Sequence, residues 1–280
     1  MYFHLSGRLG NQLFQWAFAH QLYINYGEKV IFFTDKIHHP EPRYEASQLE
    51  LLKCNHISSN LQSDLRGIQL AALDKISTIS PRLANRLENM ANFIRTKNSY
   101  EIPPLSNRTP SLVSGYYINK RTVFGIEEVL CSELTATLED IAMPMGLPNH
   151  YQVLHIRRGD YLTTDTGYGI LEEQYYLENL DIHLPVVICT DSPQDASTII
   201  ASVSPVMVFD PKNSSAWQTL KIMSASQRLI MGNSTLSWWG GFLAKMNGAT
   251  VIQPEPFYQG NKIGNESLIF NEFSQKKSYL

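Results

Sequence analysis

From residue 151 onward the chain alternates short apolar runs with helical stretches, and that alternation decides the fold class. Residues 151–156, 185–189, 205–209, 228–231 and 249–252 read as strands. Between them, 171–180 (LEEQYYLENL), 195–203, 215–225 and 236–246 read as helices. Strands alternating with helices of this size form a parallel sheet wrapped by crossovers. Near-continuous apolar strands mean burial on both faces. The amino half opens the same way, with a strand at 2–5, a glycine-containing turn, and a helix at 12–26. Leu13, Phe14, Ala17, Phe18 and Leu22 form that helix's apolar stripe, Gly27 ends it, and a strand follows at 29–33. Residues 60–100 are helical in pattern. Proline-rich segments follow at 101–110 and at 143–150 (MPMGLPNH). The second marks the domain boundary, giving domains 1–148 and 149–280, with the tail free to return to the first.

At 280 residues, 43% hydrophobic and 18% charged, the chain has material for two ordinary domains with real cores. Its formal net charge of −3 argues against a nucleic-acid partner, because no basic field exists to neutralise a phosphate backbone. No run approaches the roughly 20 apolar residues that span a bilayer. The amino terminus lacks the layout of a signal peptide, so the expectation is a soluble cytoplasmic protein. Three widely spaced cysteines, Cys54, Cys131 and Cys189, suggest neither a disulfide framework nor a zinc site.

Three strand-to-helix junctions carry chemistry. HIRRGDY at 155–161 sets His155, Arg157, Arg158 and Asp160 at the carboxyl end of a strand, where open α/β sheets bind ligands. Guanidinium forks there suit phosphate or pyrophosphate, which they hold bidentately. The alternative is a pair of surface charges with Asp160 as salt-bridge partner. SGRLGNQ at 6–12 offers Gly10 and Asn11 beside a helix start, which either approaches an anion or is a tight turn with Asn11 as cap. GNSTLSWWGG at 232–241 presents Asn233, Ser234 and Thr235 at a helix start, as an anion cradle or as caps. Trp238 and Trp239 either stack on a base or sugar or belong to the core. Asp191, at a strand tip, either accepts from a ribose hydroxyl or base or makes a turn before Pro193. No Walker A pattern, GxGxxG, metal-ligand cluster or Asp-x-Asp is present. If phosphate is involved, leaving-group charge therefore falls to arginine and helix ends, and the expectation is no metal and no cofactor.

These segments resemble glycosyltransferase family 11, the α-1,2-fucosyltransferases that use GDP-fucose. The matching stretches are GRLGNQLFQWAFAHQL at 7–22, SGYYINKRTVF at 114–124, HIRRGDY, and IMGNSTLSWWGGFL at 230–243, in the family's order. The resemblance implies a GT-B-like α/β fold, two Rossmann-like domains facing a cleft, with the nucleotide on the carboxyl-terminal one. It implies inverting, metal-free transfer of fucose to the 2-hydroxyl of a galactose-terminated oligosaccharide in surface-polysaccharide or O-antigen assembly. Arg157 would hold the GDP β-phosphate and His155 and Arg158 would line the donor site. Asn233, Ser234 and Thr235 would contact the pyrophosphate, and Gly10 and Asn11 would approach from the other domain. Asp191 matches the acid of the family's Ser-Asp-Asp strand end, with Ser192 in place of the second Asp; Thr219 stands where the family has an acid. Both departures bear on how guanine is held. Candidates for the base are Asp160, Asp165 and His155, with Asp160 equally suited to fixing Arg157. The partners implied are GDP-fucose and a galactoside acceptor, with peripheral membrane association through a lipid-linked acceptor. The competing readings are a related GDP-sugar transferase with another acceptor and a non-catalytic carbohydrate-binding protein on the same scaffold.

Overall fold

The computed structural model describes all residues except 35–47, 53, 55, 56, 63, 163–166, 261, 272 and 278–280. The chain forms two compact units, 1–133 and 134–280. Each is built on one wholly parallel sheet.

In the first unit, β1 (Tyr2–His4) lies centrally, between β2 (Val30–Thr34) and β5 (Leu112–Ser114). β3 (Ile57–Gln62) and β4 (Phe93–Arg95) are the edges, giving the order β3-β2-β1-β5-β4. The helix α1 (Leu9–Tyr26) starts three residues earlier than its apolar stripe implies, with Arg8 rather than Asn11 at the N-cap position. It is also buried on more than that stripe. Gln12, Gln15, Trp16 and His20 join Leu13, Phe14, Ala17, Phe18 and Leu22 inside. The buried glutamines satisfy backbone groups that would otherwise be stranded. Gln15 Oε1 accepts from the Ser6 N–H at 3.1 Å while its amide donates to the Gly115 carbonyl at 2.9 Å. Gly27 ends α1 in the left-handed region at φ 70°, its N–H donating to the Tyr23 carbonyl. Two helices, α2 (Asp64–Ile79) and α3 (Pro81–Ala91), form the helical middle, and α4 (Glu127–Glu139) follows β5.

The second unit begins within α4; the 148/149 division drawn from the proline-rich segment lies in the loop after that helix. Its sheet runs β11-β10-β9-β6-β7-β8, from β6 (Gln152–Ile156), β7 (Val186–Thr190), β8 (Met207–Phe209), β9 (Arg228–Ile230), β10 (Thr250–Glu255) and β11 (Ser274–Lys277). The tail strand β11 pairs with β10 and so extends this second sheet. The crossovers are α5 (Glu173–Leu177), α6 (Ser197–Val203), α7 (Ala216–Ser224) and α8 (Thr235–Met246), with α9 (Lys262–Leu268) before β11. α5 is half the length its pattern suggests, because Tyr175 and Tyr176 are anchors and not members of a long stripe. Both rings are buried with Leu154, Ile156, Ile188, Ile199, Ile230 and Ile252. Trp238 and Trp239 are fully buried, and the Trp238 indole N–H donates to the Leu268 carbonyl at 2.8 Å, so both belong to the core.

Candidate active site

In the second sheet the chain builds β6, β7 and β8 in one direction, then returns to place β9 on the other side of β6. The reversal lies between β6 and β9, and ligands of open α/β sheets bind outside the strand ends at such a switch point. HIRRGDY leaves β6 there, and GNST leaves β9 beside it. The two strand ends approach closely enough that a Cβ on Gly232 would sit 2.6 Å from the His155 carbonyl oxygen. Two buried hydroxyls fasten them: Tyr176 donates to the His155 carbonyl at 3.3 Å and Tyr175 to the Met231 carbonyl at 2.9 Å. These tyrosines support the site from beneath. The YY pair in LEEQYYLENL was their signal, since buried tyrosines need hydroxyl partners.

Arg157 lies between two carboxylates. Its Nη1 is 2.7 Å from Asp191 Oδ2 and its Nη2 is 2.5 Å from Asp160 Oδ1. The Tyr161 ring lies under the guanidinium at 5.2 Å. Asp191 does more than pair: its Oδ1 accepts from the backbone N–H of Arg158 at 2.9 Å and of Gly159 at 3.3 Å. Both its oxygens therefore hold the protein's own groups. Asp191 shapes the turn after β6 and pairs with Arg157; the sequence left it between contact with ribose or base and a turn before Pro193. A side chain at Gly159 would collide with the Asp191 carboxylate, which explains the glycine. Asp160 is the more exposed partner, 45% against 17% for Asp191.

Three part-buried hydrogen bonds tie the loop after β6 to the start of α8, and a fourth, buried, braces the turn into that helix. Tyr161 donates to the Asn233 carbonyl at 3.1 Å, and the Asn233 amide donates to the carbonyls of Tyr168 and Gly169 at 3.0 and 2.9 Å. The Ser237 hydroxyl accepts from the Gly232 N–H at 3.0 Å. Ser234 is the N-cap of α8, its Oγ accepting from the Ser237 N–H at 3.1 Å. The capping Oγ keeps its own O–H to donate. Thr235 is the first residue of α8, at the positive end of the helix. Asn233 thus joins two loops, a role that the sequence did not assign to it.

Three nitrogens of the 155–158 stretch are buried without a hydrogen-bond partner: His155 Nδ1, Arg157 Nε and Arg158 Nε. Buried polar groups are nearly always satisfied, and three exceptions fall within four residues of this one strand end. His155 is 7% exposed, and burial pulls its pKa down to about 4. Asp191 raises it in part, and Arg157 lowers it further. The imidazole is therefore neutral near pH 7 and adds no positive charge.

Of the other expected residues, Asp165 lies outside the described residues. Gly10 and Asn11 sit in the first turn of α1 in the first unit. There Gly7 takes φ +75°, and a Cβ on it would meet the Asn11 amide. The Gln12 amide donates to the Gly7 carbonyl at 3.0 Å and its oxygen accepts from the Gln48 N–H at 2.8 Å. This turn lies at the switch point of the first sheet, between β1 and β5. Among the described residues one group has metal-ligand character, His20, Cys54 and Glu133, also in the first unit. Burial opposes a charge on His20. Its contacts to Cys54 at 3.7 Å and Glu133 at 3.1 Å outweigh that and raise its pKa to about 9.

A family model for glycosyl transferase family 11 matches residues 1–267. The O-antigen biosynthesis glycosyltransferase WbnK of Escherichia coli is 23% identical over 296 residues, covering 93% of this chain and 96% of the relative. Among solved structures, the E. coli heptosyltransferase WaaC with ADP aligns at TM-score 0.50 and 11% identity, covering 99% of this chain and 92% of the other. The fucosyltransferase NodZ from Bradyrhizobium aligns at TM-score 0.49 and 10% identity, covering 86% and 92%. The fold is α/β of the GT-B class, with two Rossmann-like units.

Proposed function

The chain belongs to glycosyl transferase family 11, and from that premise we propose that it transfers fucose from GDP-fucose, with inversion, to the 2-hydroxyl of a galactose-terminated oligosaccharide. The observation that carries the donor assignment is the cluster of unpartnered buried nitrogens on His155, Arg157 and Arg158 beside the start of α8. A diphosphate matches that set. It brings charge to the guanidinium forks and acceptor oxygens to the Ser234 hydroxyl and the first-turn N–H groups. As the glycosidic bond breaks, negative charge grows on the departing diphosphate while the sugar carbon becomes oxocarbenium-like. Arg157 and the positive end of α8 stabilise that charge more in the transition state than in the ground state. Asp160 and Asp191 are both engaged with Arg157, so the site's own cations, not a divalent ion held by its acids, take the leaving-group charge in this reading.

The donor phosphate competes with Asp160 for Arg157, since Asp160 is the more exposed of the two carboxylates. Asp191 stays in place and keeps the fork aimed. Asp160 displaced from Arg157 in this way is a carboxylate at the site that can take the acceptor hydroxyl proton. WbnK is named for O-antigen biosynthesis, which supports an acceptor among surface glycans assembled on a lipid carrier at the cytoplasmic membrane face. No helix among the described residues is long and apolar enough to cross a membrane, and in this reading the enzyme meets its acceptor as a peripheral protein.

The test is incubation with GDP-fucose and a panel of β-galactosides, with product linkage assigned by NMR. The expected product is an α-1,2-fucosylated galactoside, formed about 10²–10³-fold more slowly by Arg157→Ala. Transfer from a different nucleotide sugar, or a different linkage, contradicts the proposal.

A further inference from the structure

The helix α3 carries a face that neither the sheet nor the proposed chemistry uses. Its residues sort by the helical period. Ala84 faces inward and is buried. Glu88 lies on the adjoining flank and pairs with Arg95 at 3.2 Å. Arg82, Asn85, Arg86 and Asn89 occupy the outer face at i, i+3, i+4 and i+7 spacing. With Arg108 and Met90 they line an open cleft of about 580 Å³. The guanidinium groups of Arg82, Arg86 and Arg108 have no carboxylate partner among the described residues, and no acid lines the cleft. Beside this basic face stands an apolar edge. Met90 is 73% exposed, Leu83 48%, and Ile79, at the turn between α2 and α3, 86%.

Charge is distributed accordingly. Residues 64–110 hold seven Lys and Arg against four Asp and Glu, within a chain whose net charge is −3. Single exposed apolar residues are ordinary. Two of them along one edge of a helix whose exposed polar face is all arginine and asparagine, with a third at the turn that leads into it, are the pattern of a helix lying in a membrane interface.

We propose that this face of the first unit docks on an anionic phospholipid bilayer. The three arginines and two asparagines take lipid phosphates, and Ile79, Leu83 and Met90 enter the headgroup–acyl boundary. The occupant is chosen by complementarity: arginine forks match phosphate, and the neighbouring apolar edge matches a partner that has hydrocarbon just beneath its phosphates. A soluble anion offers only the first. The inference adds a docking surface to the membrane-held acceptor of the proposed function, and its test needs no sugar.

The whole chain is floated with vesicles of phosphatidylglycerol and phosphatidylethanolamine, and with vesicles of phosphatidylcholine alone. The expected result is binding to the anionic vesicles only, weakening as salt rises. Juxtamembrane basic residues contribute about 1 kcal/mol each, so Arg82→Gln/Arg86→Gln/Arg108→Gln should partition on the order of a hundredfold more weakly. Leu83→Ser/Met90→Ser should bind less as well. Far-ultraviolet circular dichroism and the thermal unfolding midpoint check that each variant is folded. Failure of the unaltered chain to bind anionic vesicles overturns the proposal. So does binding that depends on the arginines and is indifferent to Leu83 and Met90, which would mark a site for soluble polyanions. Absence of fucose transfer leaves the vesicle result standing.

Discussion

Arg157 shows how one residue's use depends on its neighbours. Adjacent arginines in a sequence are usually surface charges. Here Arg157 is turned inward by Asp191, which also holds two backbone N–H groups of the same turn. Asp160 completes the enclosure and is the partner a phosphate must replace. Asp160→Asn removes that competition while keeping shape. We expect it to bind GDP several-fold more tightly in calorimetric titration. Weaker binding would mean that Asp160 orients Arg157 for phosphate. The sequence made Arg157, His155 and the α8 start legible as a group because strand ends and helix starts are where an α/β sheet gathers ligand contacts. It did not make the use of Asp191 legible. Whether a strand-tip acid meets a ligand or a backbone turn depends on a partner 33 residues away, and no local pattern encodes that distance. Tyr175 and Tyr176 were missed as supports of the site for the same reason: each holds a backbone carbonyl far off in sequence. Asn233 was named as a ligand contact, and its hold on the Tyr168 carbonyl has the same long reach.

At the scale of elements, the alternation of strands and helices in the second unit was plain, because buried parallel strands are short apolar blocks. The strands that escaped, β3, β4, β5 and β11, are three to six residues long, and the helices α4 and α9 were not read either. Three of these strands are sheet edges, and short runs of this kind cannot be told from loops by periodicity. Two elements also carry titrating groups of opposite sign. His20 on α1 has a pKa raised to about 9, because its contacts to Cys54 and Glu133 outweigh burial. Its contribution to stability is fully present below about 6.5, the unfolded value, and is lost as pH rises through 9. His155 at the end of β6 is lowered to about 4 by burial. Its contribution is present above the unfolded value and is lost as pH falls through 4. Thermal unfolding followed against pH should therefore lose its alkaline decline in His20→Gln and part of its acid decline in His155→Gln. Unchanged limbs in both variants would contradict these assignments.

At the scale of the molecule, both sheets reverse direction at a central strand, and the family's sequence blocks leave the strands at those reversals. In the first unit they follow β1 and β5; in the second they follow β6 and β9. In the proposed function the second reversal is a diphosphate site whose charge is met by arginine and a helix end. The most direct test is calorimetric titration of GDP into the unaltered chain and into Arg157→Lys, both in excess EDTA. The expected result is binding without divalent metal and at least a tenfold loss with lysine, which keeps the charge and loses the fork. Equal affinity in the two proteins, or binding that returns only on addition of magnesium or manganese, would contradict it.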